Sequence, residues 1–212
     1  MGLFQRKTQT GISKPLYTIG LNRTLLIVGL GNPSKEHKNS RHNIGFACLD
    51  SLAQKLDFPD WTEKKVLKCQ LSEQNVSDTK VILVKPSTYM NLSGEAVQAV
   101  KSFYKIPDDQ IIAVHDELDI PFGQIRTRLG GSSAGHNGVE SLIKHINEGF
   151  GRVRIGIHNV LADKIEGKDF VLSSFNNEET EKLPALTREV NSILSEYIYG
   201  QPLSSETRSF LL

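Results

Sequence analysis

The sequence predicts an α/β protein: a single three-layer domain with a twisted, largely parallel mixed sheet and helices on both faces. Three observations predict it. Short apolar runs rich in branched residues recur along the chain. Segments of helical periodicity alternate with them, and Gly, Pro or Asn marks most of the joins.

Leu25-Leu26-Ile27-Val28-Gly29-Leu30 reads as a buried strand entering the turn Gly31-Asn32-Pro33. Leu49, Leu52, Ala53 and Leu56 recur at helical spacing, so a helix is predicted over 43–56. Val81-Ile82-Leu83-Val84 is a second buried strand, ended by Lys85-Pro86. Ala96, Val97, Val100 and Phe103 predict a helix over 94–104, and Ile111-Ile112-Ala113-Val114 a third strand. Residues 124–129 alternate as a half-buried strand does; 137–146 reads as a helix and 153–157 as another strand. Near the end, Leu183, Leu186, Val190, Ile193, Leu194 and Tyr197 mark an amphipathic helix with Pro184 in its first turn.

A length of 212 residues suits one domain, and 38% hydrophobic against 23% charged residues allows a continuous core. No apolar run approaches the roughly 18 residues of a membrane span. Two cysteines, Cys48 and Cys69, exclude a disulfide framework and a four-cysteine zinc site and fit a reducing compartment. The net charge of +1 conceals a pattern. Residues 1–35 carry five bases and no acid; residues 163–212 carry five bases against nine acids; residues 121–160 carry five bases against two acids around a glycine-rich turn. A polyanion should dock at the last of these segments.

The first 24 residues are basic, free of acids and hydroxyl-bearing, the composition of an organelle presequence or of a short surface arm. The expectation is an extension over 1–24 and an α/β domain over 25–212, in the mitochondrion, with the cytoplasm as the alternative. No exposed apolar stripe stands out, so a monomer is expected.

In a doubly wound sheet, ligands bind beyond the carboxyl ends of the strands. The turns at 31–33, 86–91, 115–119 and 130–137 should converge there, bringing Asn32, His42, Asn91, Asp116, His136 and Asn137 together. The glycines at 29 and 31 do not complete a dinucleotide fingerprint, because the closing glycine is missing and Pro33 interrupts the turn. No phosphate loop, serine elbow or zinc motif is present, and Glu117 and Asp119 read as a solvated acidic turn. Ser87, Ser93, Ser132 and Ser133 lie in polar turns, where capping is the plainer role. A histidine held by a buried aspartate can activate water for attack on an ester, with carboxamides polarising the carbonyl. His42 and Asp116 are the natural pair. Singly, such residues more often serve the fold. Arg126 and Arg128, two apart on an alternating segment, face one way, and Arg154 on a later strand can join them to clamp phosphate, with Arg152 and Lys144 at the rim.

Leu30-Gly31-Asn32-Pro33, Arg41-His42-Asn43-Ile44-Gly45, the segment Pro86 to Gly94, His115-Asp116-Glu117-Leu118-Asp119 and Gly135-His136-Asn137-Gly138, in this order, resemble the bacterial-type peptidyl-tRNA hydrolases. The resemblance implies hydrolysis of the ester between a peptide and the 3′ end of tRNA, without metal or cofactor, with peptidyl-tRNA as partner. It implies that His42 activates water, Asp116 supports it and Asn91 binds the substrate backbone. By the same resemblance Asn32 separates peptidyl from aminoacyl substrates, and Asn137 and His136 line the channel to the 3′ end. Tyr89 is implied in tRNA contact and Met90 in the peptide groove. His37 stands where the family commonly has tyrosine, and the turn 130–134 is poorer in glycine than is usual. Two rivals remain: an RNA-binding relative without hydrolysis, and an esterase of small substrates.

Overall fold

Leu25, Leu26, Ile27 and Val28 are all fully buried, which a strand achieves only when both sheet faces are covered. In the computed structural model, which describes residues 23–209, they lie in β1, Arg23–Gly29, near the middle of an eight-stranded sheet. The other strands are β2 (Thr62–Lys64), β3 (Cys69–Val76), β4 (Thr79–Pro86), β5 (Ile111–Pro121), β6 (Gln124–Leu129), β7 (Gly151–His158) and β8 (Thr207–Ser209). Their order is β2-β3-β4-β1-β5-β7-β6-β8. The middle four, β4-β1-β5-β7, run parallel, and both flanks pair antiparallel.

Alternate β1 side chains feed two cores. Leu25 and Ile27 pack with the helices α1 (Ile44–Lys55) and α5 (Asn177–Ile198); Leu26 and Val28 pack with α2 (Ser93–Tyr104) and α3 (Asn137–Ile146). Three layers follow from the period of two. A short helix α4, Gly167–Leu172, lies outside this scheme and walls the site described below.

Several elements differ from the expectation. The third strand does not end at Val114 but continues through the segment 115–119, so that segment is strand rather than turn. Glu117 there is 2% exposed and ion-paired with Arg154 at 3.0 Å, not solvated; Asp119 is exposed. Pro184 is the eighth residue of α5, not part of its first turn. The helix begins earlier because Asn176 and Glu179 form a capping box, and Pro184 sits on the exposed side. The N-terminal extension lies outside the described residues apart from Arg23 and Thr24, which belong to β1.

The amino end of α1 is pressed against the carboxyl end of β1 and the Val114 region of β5. A Cβ at Gly45 would collide with the Val114 carbonyl and the Leu30 backbone, and one at Gly29 would meet the Gly45 carbonyl. Only glycine permits that approach, and the turn just before α1 carries His42.

Candidate active site

His42 sits in the single turn Arg41–Asn43 ahead of α1, 7% exposed. Asp116, 1% exposed, points from the middle of β5 on the same sheet face as Val114 and Ile112. The His42 Nδ1 lies 2.9 Å from both carboxylate oxygens. His136 caps α3: its Nδ1 accepts the backbone N–H groups of Gly138 and Val139 at 3.1 and 3.3 Å. A nitrogen that accepts carries no proton, so the proton of His136 is on Nε2, which donates to Asp116 Oδ1 at 3.0 Å. Asp116 thus receives two imidazole N–H groups. Donation from His42 Nδ1 leaves the Nε2 of His42 as a lone pair.

Burial works against a charged Asp116, but the adjoining His42 and His136 outweigh it and hold the carboxyl well below the usual carboxylate range. The ligand atoms of His42, Asp116 and His136 lie within 4.8 Å of one another, a spacing that would suit a metal ion. Each imidazole already hydrogen-bonds the Asp116 carboxylate.

His115, the neighbour of Asp116 on β5, is fully buried, packs edge-on against His136 and donates Nδ1–H to the Asp116 carbonyl at 2.7 Å. Its Nε2 has no hydrogen-bond partner. Burial, then the neighbouring His136, pushes its pKa well down. The folded protein therefore holds His115 neutral where the unfolded chain protonates it, so stability falls as pH drops below about 6.5. Chemical denaturation of wild type between about pH 7.5 and 5 should show that loss, and His115→Phe should flatten it; an unchanged slope in the variant refutes the assignment.

Asn32 follows β1 and is 8% exposed. Its Oδ1 accepts the Met90 N–H at 2.8 Å; its own N–H donates to Asn43 Oδ1 at 2.7 Å, and Asn43 Nδ2 returns a bond to the Asn32 carbonyl at 2.9 Å. Asn43, next to His42 in sequence, thereby ties the Asn32 turn and the turn after β4 to the histidine. In the sequence Asn43 stands inside the Arg41-His42-Asn43 motif, where no local signal marks this role.

His42, Asp116, His136 and Asn137 line a cleft of about 240 Å3 together with Ala134, Gly135 and, from α4, Lys168 and Val171. Asn137 is exposed at the start of α3; Asn91 and Tyr89 are exposed on the turn after β4. Met90 is buried and packs where a Cβ on Gly138 would strike its sulfur. His37 is partly buried, pairs with Glu36 at 3.8 Å and does not line this cleft.

Cross-strand register places Arg126 opposite Arg154 and Arg128 opposite Arg152, so four guanidinium groups share one face. Arg152 is not a rim residue. It is 1% exposed and donates to the carbonyls of Ser132 and Gly130, anchoring the glycine-rich turn, and burial with Arg128 and Arg154 beside it lowers its pKa to about 10. Lys144 is an ordinary surface charge paired with Glu140 one helical turn away. Arg154 is partly neutralised by Glu117, whereas Arg128 has no ion-pair partner among the described residues and Arg126 keeps an unbonded buried Nε.

Arg41, 1% exposed, bonds Glu179 at 3.0 and 2.6 Å and stacks near Phe170 and Phe175. The pair fastens the His42 turn to the start of α5. The spacing Asn176-x-x-Glu179 signals a capping box in the sequence, but nothing local signals a partner 138 residues away.

An aspartate-backed histidine at the carboxyl edge of a doubly wound sheet, flanked by fixed carboxamides and a guanidinium face, defines a hydrolytic α/β class rather than a nucleotide-binding one. Residues 26–210 match the family model described as Peptidyl-tRNA hydrolase, and the chain belongs to that family. It is 41% identical over 179 residues to the peptidyl-tRNA hydrolase of Fusobacterium nucleatum, covering 84% of this chain and 91% of that one. The Sorangium cellulosum peptidyl-tRNA hydrolase is 43% identical over 188 residues, covering 87% and 83%. The crystal structure of peptidyl-tRNA hydrolase from Acinetobacter baumannii superposes with TM-score 0.77 at 35% identity, over 84% of this chain and 90% of that one.

Proposed function

We propose that this protein hydrolyses the ester joining a peptide, or an N-blocked aminoacyl group, to the 3′ end of tRNA, and that His42 is its base. The observation that carries the reading is the chain of hydrogen bonds from the α3 backbone through His136 and Asp116 to His42 Nδ1, which leaves Nε2 unprotonated. Nε2 takes a proton from water as the water oxygen attacks the ester carbonyl carbon. Asp116 stabilises the imidazolium so formed. The carbon–oxygen bond to the ribose then breaks, the proton passes to the departing oxygen, and a free peptide acid and tRNA result. Asn91, next to Met90, and Asn137, next to His136, are exposed and offer carboxamides to the peptide backbone and the 3′ end. Asn32, whose Oδ1 is committed to Met90, retains Nδ2 as a donor for a peptide carbonyl and so favours peptidyl over free aminoacyl substrates.

Arg126, Arg128 and Arg154 are the proposed phosphate contacts, and Tyr89 and Met90 flank the substrate. Each phosphate contact adds about 0.7–0.9 to the slope of log affinity against log salt. Arg126→Ala with Arg128→Ala should therefore lower that slope by about 1.5 and leave kcat near wild type; an unchanged slope would move the phosphates elsewhere. An esterase of small substrates would be insensitive to salt. The test of the function itself is release of an N-acetylated aminoacyl group from tRNA, with unblocked aminoacyl-tRNA as control. Cleavage of the blocked substrate alone supports the reading, whereas a folded protein that binds tRNA without cleaving it would be the RNA-binding relative. We further propose a monomer that needs no metal and acts in the mitochondrion, the residues ahead of β1 serving as the presequence. Light scattering and a reporter fused to those residues test this.

A further inference from the structure

A second cleft, of about 350 Å3, opens from Asn32 and Asn43 away from the arginines. Sheet order fixes the direction: Arg126, Arg128 and Arg154 stand on β6 and β7, Asp116 on β5, and this cleft reaches Gln70 of β3 and Lys85 and Pro86 of β4. tRNA held over β6 and β7, with its ester at His42, sends its peptide toward β4 and β3. Phe46 and Pro86 line the cleft, and its charged lining is Lys35, Lys38, Lys85 and Asp50. Lys85 is nearly buried, lies 4.0 Å over the Trp61 ring and bonds Asp50 at 2.6 Å, so that acid is already matched. Lys35 and Lys38 are exposed and have no ion-pair partner among the described residues. Two unmatched cations therefore face an amphipathic cleft that begins at the residue placed against the peptide carbonyl.

We propose that this cleft is a subsite for the peptide moiety and selects acidic side chains one to two residues before the esterified one, through Lys35 and Lys38. The proposal rests on the hydrolase reading above. Two residues of extended peptide span about 7 Å, and carboxylates there meet the exposed ammonium groups of Lys35 and Lys38, where charge complementarity acts on affinity and is moderated by solvent. Glutamate should be held, glutamine tolerated and lysine repelled.

The experiment compares hydrolysis of three substrates on one tRNA, N-acetyl-Glu-Glu-Phe-tRNA, its Gln-Gln and its Lys-Lys counterparts, by wild type and by Lys35→Ala with Lys38→Ala. In wild type, KM should rise about fivefold or more from Glu-Glu to Lys-Lys with kcat little changed. In the double variant the three KM values should converge. Comparing substrates within each enzyme cancels any effect of the lost charges on tRNA. Lys35→Arg with Lys38→Arg should keep the spread. Equal KM values in wild type, or a spread that survives the alanine variant, overturn the subsite and leave the hydrolase reading intact. No hydrolysis of the Gln-Gln substrate overturns both.

Discussion

Replacing His42 with alanine is expected to lower kcat by about a thousandfold, within the range of 10² to 10⁴ that a positioned proton acceptor contributes. Affinity for tRNA should stay near wild type, because the guanidinium groups on β6 and β7 make no described contact with His42. Single-turnover cleavage of N-acetylaminoacyl-tRNA, beside binding of deacylated tRNA, separates the two quantities. A rate within a few-fold of wild type would eliminate His42 as base. Asp116→Asn should give a loss of the same order for a different reason. An amide in place of the carboxylate presents an N–H to one of the two imidazoles that now donate to it. Either His42 turns its proton onto Nε2, which removes the base, or a donor faces a donor. A pH–rate profile distinguishes this from simple misfolding, since the variant should lose its rate at every pH while its thermal transition stays cooperative.

Glu179→Ala should destabilise the protein by about 3–5 kcal/mol, because it leaves the Arg41 guanidinium buried without its counter-ion. For a protein of this size that is a fall in Tm of roughly 6–20 °C. Glu179→Gln isolates the ionic part, because glutamine can still complete the capping box with Asn176. Burial disfavours the Glu179 carboxylate, but hydrogen bonds from Arg41, the Asn176 backbone and Asn159 outweigh it, and its pKa is lowered. A lowered pKa in the folded state means that the stabilisation is complete above the unfolded value of about 4.3 and fades on acidification below it. Calorimetry at neutral and acid pH reads both effects. A Glu179→Ala protein as stable as wild type would show that the rings of Phe170 and Phe175 suffice for Arg41.

Most of the fold is legible along the chain. The runs at β1 and β4 are apolar on both faces and so announce central parallel strands, and α1, α2 and α3 carry the stripe that each core requires. β3 was not legible, because Cys69–Val76 mixes buried and exposed positions irregularly, and β2 and β8 have three residues each. β5 was read too short. Its continuation, His115-Asp116-Glu117, looks like a polar turn until the partners of those side chains are known.

The sequence by itself determined the alternation of strand and helix, the presence of His42 and the carboxamides in joining segments, and the basic strip on β6. Local periodicity and residue chemistry suffice for these. Tertiary structure alone decided that His136, by capping α3, fixes the proton that Asp116 receives, and that Arg152 serves the turn rather than the surface. It also decided that Glu179 matches Arg41 across 138 positions and that Lys35 and Lys38 border a cleft. The physical reason is common to all four. Burial and the partner of a polar group are set by which segments the sheet brings together, and no periodicity within one segment encodes them.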